Sequence, residues 1–263
     1  MDKKQWSIDK QKELESSMKD FIKNTAIDES KITDLINHYK ISGLYNFSFH
    51  NSCLIALQGG TICQSYKNWK KLNRYVRKGE KARIHIFRPV VFKKNDDDDD
   101  KKTFTRFFLV PTFDIEQTDG NPLEYEHNSI NVNIEYIPVK HKLQKIIKVP
   151  IVEKITGNHR GYCSESEIGV SEMSNNADKI RTLIHEVAHH LLKHVGNHEN
   201  ITKSTKEVEA ETVTHFVLSY MDIEYSLSES YIASWKNEHT VSHVNYKQLL
   251  KVTDQIIKAL QTF

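Results

Sequence analysis

The chain has 263 residues, with 37 Lys+Arg against 35 Asp+Glu and a formal net charge of +2. Hydrophobic residues at 38% and aromatic residues at 10% support a packed globular chain and exclude wholesale disorder. The total hides a split: residues 1–94 carry 19 Lys+Arg and 9 Asp+Glu, whereas residues 95–263 carry 18 and 26, an asymmetry that points to nucleic acid or a membrane surface on one side.

No stretch approaches the roughly 18–20 apolar residues of a membrane span. The start, Met1-Asp2-Lys3-Lys4-Gln5-Trp6, has no apolar signal core, so a cytoplasmic protein without a membrane partner is expected. Cys53, Cys63 and Cys163 share no C-x-x-C spacing and read as free thiols of a reducing compartment.

Charged segments with helical apolar spacing occupy 8–24 and 30–41, the second marked by Ile32, Leu35, Ile36 and Tyr39. Asn46-Phe47-Ser48-Phe49-His50 opens another predicted helical stretch through Leu54, Ile55 and Leu57, stopped by Gly59-Gly60. A short helix over 67–73 precedes two β-branched and aromatic runs, 82–92 and 103–113. Between those runs lie five aspartates, 96–100. They lack the glycine and terminal glutamate of a calcium loop and read as a solvated hairpin turn. Turn signals over 119–140 place a domain boundary, giving domains 1–135 and 136–263. Beyond it come a basic helix at 140–148, strand-like 161–173, and mostly helix to the end. The predicted class is α+β: a small α+β N-terminal domain followed by a mainly helical one. The strand-like 166–171, just ahead of the segment 182–192, is a candidate edge for pairing with an extended peptide.

The sharpest signal is Thr182-Leu183-Ile184-His185-Glu186-Val187-Ala188-His189, an H-E-x-x-H within an apolar helical segment. Residues i and i+4 share a helix face, so His185 and His189 can converge on one Zn²⁺. Glu186, one step round, lies beside a metal-held water as its general base. A catalytic zinc needs a third protein ligand and an open position. Glu207 and Glu211, again i and i+4, are the candidates. Glu207 is taken as the ligand and Glu211 as the carboxylate that orients a ligand histidine, although the swapped assignment fits the same spacing. His190, His194 and His198 lie off the i, i+4 pair and read as bystanders. Glu209 points away from its two neighbours.

The basic half has its own pattern. From Tyr66 to Lys94 there are eleven cations and one acid, Glu80, interleaved with Tyr66, Trp69, Tyr75 and Phe87. Cations for phosphates beside rings for bases suit single-stranded nucleic acid. No helix-turn-helix or finger pattern argues for duplex readout. The candidate contacts are Tyr45, Lys67, Trp69, Lys70, Lys71, Arg74, Arg77, Lys78 and Lys81.

Both halves carry residues of one known family. Gly43-Leu44-Tyr45-Asn46-Phe47-Ser48-Phe49-His50-Asn51, Leu54-Ile55-Ala56-Leu57-Gln58, Trp69-Lys70-Lys71-Leu72, Val76-Arg77-Lys78-Gly79-Glu80-Lys81 and Phe113-Asp114-Ile115-Glu116-Gln117-Thr118 resemble the N-terminal domain of the ArdC-type antirestriction proteins of plasmids and mobile elements. The segments 182–189 and 207–211 and Tyr231-Ile232-Ala233-Ser234-Trp235 resemble the same family's metallopeptidase domain. The resemblance spans roughly 30–260. It implies a single-stranded-DNA-binding domain joined to a zincin-like, gluzincin-type metallopeptidase domain with one catalytic Zn²⁺ per chain and an unknown protein or peptide substrate. It also implies a restriction-blocking role. Two other functions fit the residues: a DNA-binding antirestriction protein whose metal site is structural or silent, and a regulatory protease that cleaves a repressor.

Overall fold

The computed structural model describes residues 3–43, 47–93, 103–123, 134–154, 159–196 and 201–261. They form a mixed α and β chain that is about 56% helical. It divides into two compact units, one of residues 1–21 and 41–127, the other of residues 22–40 and 128–263. Residues 22–40 therefore group with the second unit, an exchange that a single cut between 135 and 136 does not provide for.

Helix α1 (Lys3–Ala26) ends where Asp28 starts a new helix, its carboxylate accepting from the Ser30 N–H at 3.0 Å. Helix α2 (Glu29–Gly43) follows. Helix α3 (Phe49–Leu57) is capped by Ser48, which accepts from the Asn51 N–H, and it ends at Gly59 with φ of +73°.

In the first unit come β1 (Cys63–Gln64), α4 (Tyr66–Lys71) and β2 (Arg74–Val76), then the long hairpin of β3 (Ile84–Lys93) and β4 (Thr103–Asp114), and β5 (Thr118–Gly120). Their order is β1-β4-β3, all antiparallel, with β2 and β5 as a separate pair. The five aspartates at 96–100 lie outside the described residues. Strand β3 is the edge, and α3 covers part of it with side chains instead of a strand. The Asn51 amide donates to Phe87 O (2.9 Å) and accepts from Phe87 N (3.0 Å), while Gln58 does the same for His85 (2.8 and 3.0 Å). Two carboxamides thus satisfy four backbone groups that an uncovered edge leaves open.

Asp114 ties the other end. It accepts from Thr61 N at 2.5 Å and caps a 3-10 turn over Ile115–Gln117, closing a capping box with the Gln117 side chain. Gln117 then donates to Glu80 (2.7 Å) and to Lys81 O (2.8 Å). Phe113–Thr118 is scaffold.

The second unit continues with α5 (Tyr136–Gln144), β6 (Ile151–Lys154), β7 (Gly161–Cys163) and β8 (Ile168–Ser171). Next come α6 (Asn176–Leu191), α7 (Lys203–Tyr220), α8 (Glu229–Lys236), α9 (Glu238–Ser242) and α10 (Tyr246–Gln261). The sheet order is β6-β8-β7, β8 parallel to β6 and antiparallel to β7. This corrects the expectation for 166–171. Strand β8 is central and buried at all four residues, so it offers no edge for a peptide. The two strand-like pieces of 161–173 pair with each other, and β-branched Ile151 and Val152 supply the third strand.

Helix α7 runs through the middle of the unit, packed on α6, α10 and α8, and is buried almost continuously from Val208 to Tyr220. Among its buried polar side chains, Thr212 and Thr214 are hydrogen-bonded inside the unit, to the carbonyls of Val208 and Ala210. Residues 22–40 close the unit: the Tyr39 hydroxyl donates to Asp254 at 3.1 Å, and Lys40 pairs with Asp222 at 2.7 Å.

Candidate metal centre

Helix α6 starts at an N-cap, Asn175, which accepts from the Asp178 N–H at 2.9 Å. Its apolar stripe of Ile180, Leu183, Ile184, Val187 and Ala188 is buried, fixing which way the polar positions between them face. His185 and His189, one turn apart, bring their Nε2 atoms to 3.1 Å. Glu207, in the second turn of α7, places Oε2 3.5 Å from His185 Nε2 and 3.7 Å from His189 Nε2. A tetrahedral zinc with bonds of about 2.1 Å spaces its ligands about 3.4 Å apart. The three separations bracket that edge, and the point equidistant from the three atoms lies about 2 Å from each. These three side chains form the one group of donors among the described residues that meets the spacing for a divalent ion. The Glu207 side chain remains half exposed, which leaves an approach from solvent.

The other nitrogen of each histidine is also engaged. Glu211 Oε2 lies 3.0 Å from His185 Nδ1, close enough to pair with its N–H but too bent for a straight hydrogen bond. Glu211 Oε1 is held by Arg181 at 2.7 Å. His189 Nδ1 lies 3.0 Å from His194 Nδ1, and His194 Nε2 lies 2.8 Å from Glu209 Oε2. The second oxygen of Glu209 accepts from the Asn245 N–H at 2.5 Å. One proton arrangement satisfies the whole row: His189 donates from Nδ1, His194 accepts there and donates from Nε2, and Glu209 accepts. His185 and His189 then each offer a bare Nε2 to a metal.

Sequence reasoning set His194 and Glu209 aside, and both are buried parts of this row. The turn after α6 explains it. Lys193 takes φ of +62°, His194 N donates to His189 O at 2.9 Å, and Lys193 N donates to His190 O at 3.1 Å. This is a Schellman closure without its usual glycine. It folds His194 back beneath His189. His190 is half-buried on another side of the helix, and His198 lies outside the described residues.

Charge follows from this geometry. Burial alone depresses His185, but the carboxylates of Glu207 and Glu211 outweigh it and raise the metal-free imidazole to about 9. Hydrogen bonding to His185 and His189 holds Glu207 far below the ordinary carboxylate range. Glu211 is opposed by burial yet drawn down to about 2 by His185, His215 and Arg181. Glu186 moves the other way. Burial pushes it up, against the pull of His185 and His189. Strand β7 lies over Glu186: a Cβ on Gly161 would meet the Thr182 methyl at 2.4 Å and the Glu186 side chain at 3.2 Å.

Beyond Glu211, His215 is fully buried, stacked on Tyr225 at 4.9 Å and edge-on to Tyr231 at 4.8 Å. Burial pushes it down to about 4, so it is neutral at physiological pH. Tyr231 shares a 2.9 Å hydrogen bond with Thr212. A cleft of about 480 Å³ opens beside Glu207 and Glu211, walled by Ser204, Ser228, Tyr231 and Ser234.

The candidate nucleic-acid residues of the first unit separate into two groups. Trp69 is fully buried and its indole donates to Phe113 O at 2.8 Å, so its ring belongs to the core and offers no face to a base. Arg74 is buried, bonded to Thr118 and Gly120 O and set over Trp69. Both depart from a contact role because their polar ends are consumed by neighbouring backbone. Lys67, Lys70, Lys71, Lys78 and Lys81 are exposed; Arg77 is exposed and braced by Glu80 and Asp119. Tyr45 lies outside the described residues.

No family model matches the chain. An uncharacterized protein of Bacillus anthracis, pXO2-81, is 23% identical over 270 residues, covering 82% of this chain and 45% of its own length. The chain thus spans less than half of that relative. Two crystal structures of the antirestriction ArdC protein from the R388 plasmid are similar to it. The metal-free form gives a TM-score of 0.47 at 15% identity, over 87% of this chain and 94% of that one. The Mn(II)-bound form gives 0.42 at 17%, over 82% and 84%. Among the described residues no helix is long and apolar enough to cross a membrane.

Proposed function

We propose that the chain is an ArdC-like antirestriction protein of a mobile element: its first unit binds single-stranded DNA, and its second unit is a zinc-dependent peptidase. The observation that carries the second half is the triangle of His185 Nε2, His189 Nε2 and Glu207 Oε2 at the edge lengths of a tetrahedral site. A zincin-like metallopeptidase site has this donor set, and a closed structural zinc would require a fourth protein ligand. The ordered motifs shared with the ArdC family support the antirestriction setting. The exposed lysines of α4 and the β2–β3 loop support the DNA half.

A divalent ion held by these three residues supplies a Lewis acid that makes water acidic enough to serve as a nucleophile near neutral pH. Glu211 and the His194–Glu209 row keep both histidines in the tautomer that leaves Nε2 free. Glu186, raised by burial towards the working pH, accepts the proton of the attacking water and returns it to the departing amine. Strand β7 holds Glu186 in that position and shields it on one side.

The test combines metal analysis of the purified chain with a cleavage assay. Stoichiometric zinc that disappears in His189→Ala, together with peptide cleavage lost in Glu186→Gln, supports the reading. Antirestriction that survives Glu186→Gln would instead mark the metal site as catalytically silent.

A further inference from the structure

The arm formed by β3 and β4 carries the core face of the first unit outward to positions that are exposed among the described residues. In the register Ile84↔Thr112, Ile86↔Val110, Arg88↔Phe108 and Val90↔Arg106, these residues share one face, since side chains alternate along a strand. At the inner end Ile84 and Ile86 are buried with Ile55 and Cys63. Farther out the same face presents Arg88, Phe108, Val90, Arg106 and Phe92. Phe108 is 44% exposed, and both arginines are exposed. The Phe92 and Phe108 rings lie 6.1 Å apart, with the Arg106 guanidinium 5.8 Å over Phe92. The two strands contain a single carboxylate, Asp114, and it is buried at the inner end.

The opposite face is apolar too, with Phe107 and Val91 exposed, but it holds no cation between Phe87 and Val91. Nor does the edge of β3 invite another strand. His85 and Phe87 are already covered by Gln58 and Asn51, and the next residue on that edge, Pro89, has no N–H. On the described strand residues of this face, alternating cations and rings without an exposed acid complement a flexible polyanion with free bases.

We infer that this face is the base-stacking platform for single-stranded DNA: Phe108 and Phe92 receive bases while Arg88 and Arg106 follow the phosphates. The inference rests on the DNA-binding reading of the first unit and gives it a location, in place of the buried Trp69.

The test titrates fluorescently labelled dT20 into the full chain, Phe108→Ala, an Arg88→Ala/Arg106→Ala double variant and a Lys67→Ala/Lys70→Ala/Lys71→Ala triple variant. Phe108→Ala is expected to weaken binding about tenfold or more. That loss should vanish with an abasic 20-mer, which has no bases to stack. The arginine double variant should weaken dT20 binding and flatten the slope of log affinity against log salt by about 1.4. Unchanged dT20 affinity in both variants overturns the platform, as does a loss confined to the lysine variant. A shift from dimer to monomer in Phe108→Ala with DNA affinity intact makes the face a self-interface and also overturns it. Failure of the unaltered chain to bind dT20 sinks the wider DNA reading instead.

Discussion

In the proposed mechanism Glu186 serves as a general base, and a buried base is useful only while its charge can still change. Burial raises Glu186 against the pull of His185 and His189, which makes its carboxylate more basic than an exposed one. Glu186→Gln keeps the shape and removes the basicity. Peptide hydrolysis should fall by at least about a hundredfold while bound zinc, measured by elemental analysis, stays at the level of the unaltered chain. His194 acts one step farther out. In the proton arrangement that leaves both Nε2 atoms bare, its Nδ1 accepts from His189, so an apolar ring of similar size would fill the space and leave His189 unoriented. His194→Phe should weaken zinc about 10- to 100-fold in a chelator competition, and His194→Asn, which restores an acceptor, should recover part of it. A purely structural His194 would show the same affinity in both variants, or a loss that follows the melting temperature alone. The approach of His185 to His189 was legible from helical spacing, and Glu207 with Glu211 from the same rule. His194 and Glu209 were not: a left-handed Lys193 has no sequence signature, because glycine is the residue that announces that turn.

At the scale of elements, the carboxamides of Asn51 and Gln58 replace a missing strand. Removing one leaves a buried N–H and C=O of β3 without partners. Asn51→Ala should therefore cost about 1–3 kcal/mol in urea unfolding, with Asn51→Leu no better, since volume is not what is lost. Helices, the long hairpin and the apolar stripe of α6 could be read from periodicity, which is a local property. The centrality of β8 could not. A four-residue apolar strand looks alike at an edge and in a centre until its partner β6, fourteen or more residues upstream, is known. The same gap made Trp69 look like a binding ring, since composition records an aromatic but not what its N–H is bonded to. The left-handed Lys193 gives one more test here. Lys193→Gly should raise the melting temperature slightly, because a non-glycine residue in that conformation costs about 1 kcal/mol.

At the scale of the whole chain, folding, metal and protons are linked through His185. In the metal-free chain its pKa is about 9, above the roughly 6.5 of an unfolded histidine. Its pairing with Glu207 and Glu211 therefore stabilises the fold fully below pH 6.5, and that contribution disappears as pH rises through about 9. Metal binding has the opposite dependence. An ion needs the bare Nε2, so it must displace the proton, and its affinity climbs as pH approaches 9. Ligand held only by the folded state adds stability as the logarithm of one plus its free concentration over Kd, about 2.7 kcal/mol at a hundredfold excess. The difference in melting temperature between zinc-loaded and chelator-treated protein should thus be small near pH 6 and widen steadily to pH 8.5, measured by differential scanning fluorimetry at fixed free zinc. Glu211→Gln removes part of the pairing that holds the proton on His185, so it should widen the gap at low pH and make it less dependent on pH. A gap that is constant or shrinks with pH would mean that the ion does not compete with the His185 proton, and that the three donors do not bind it together.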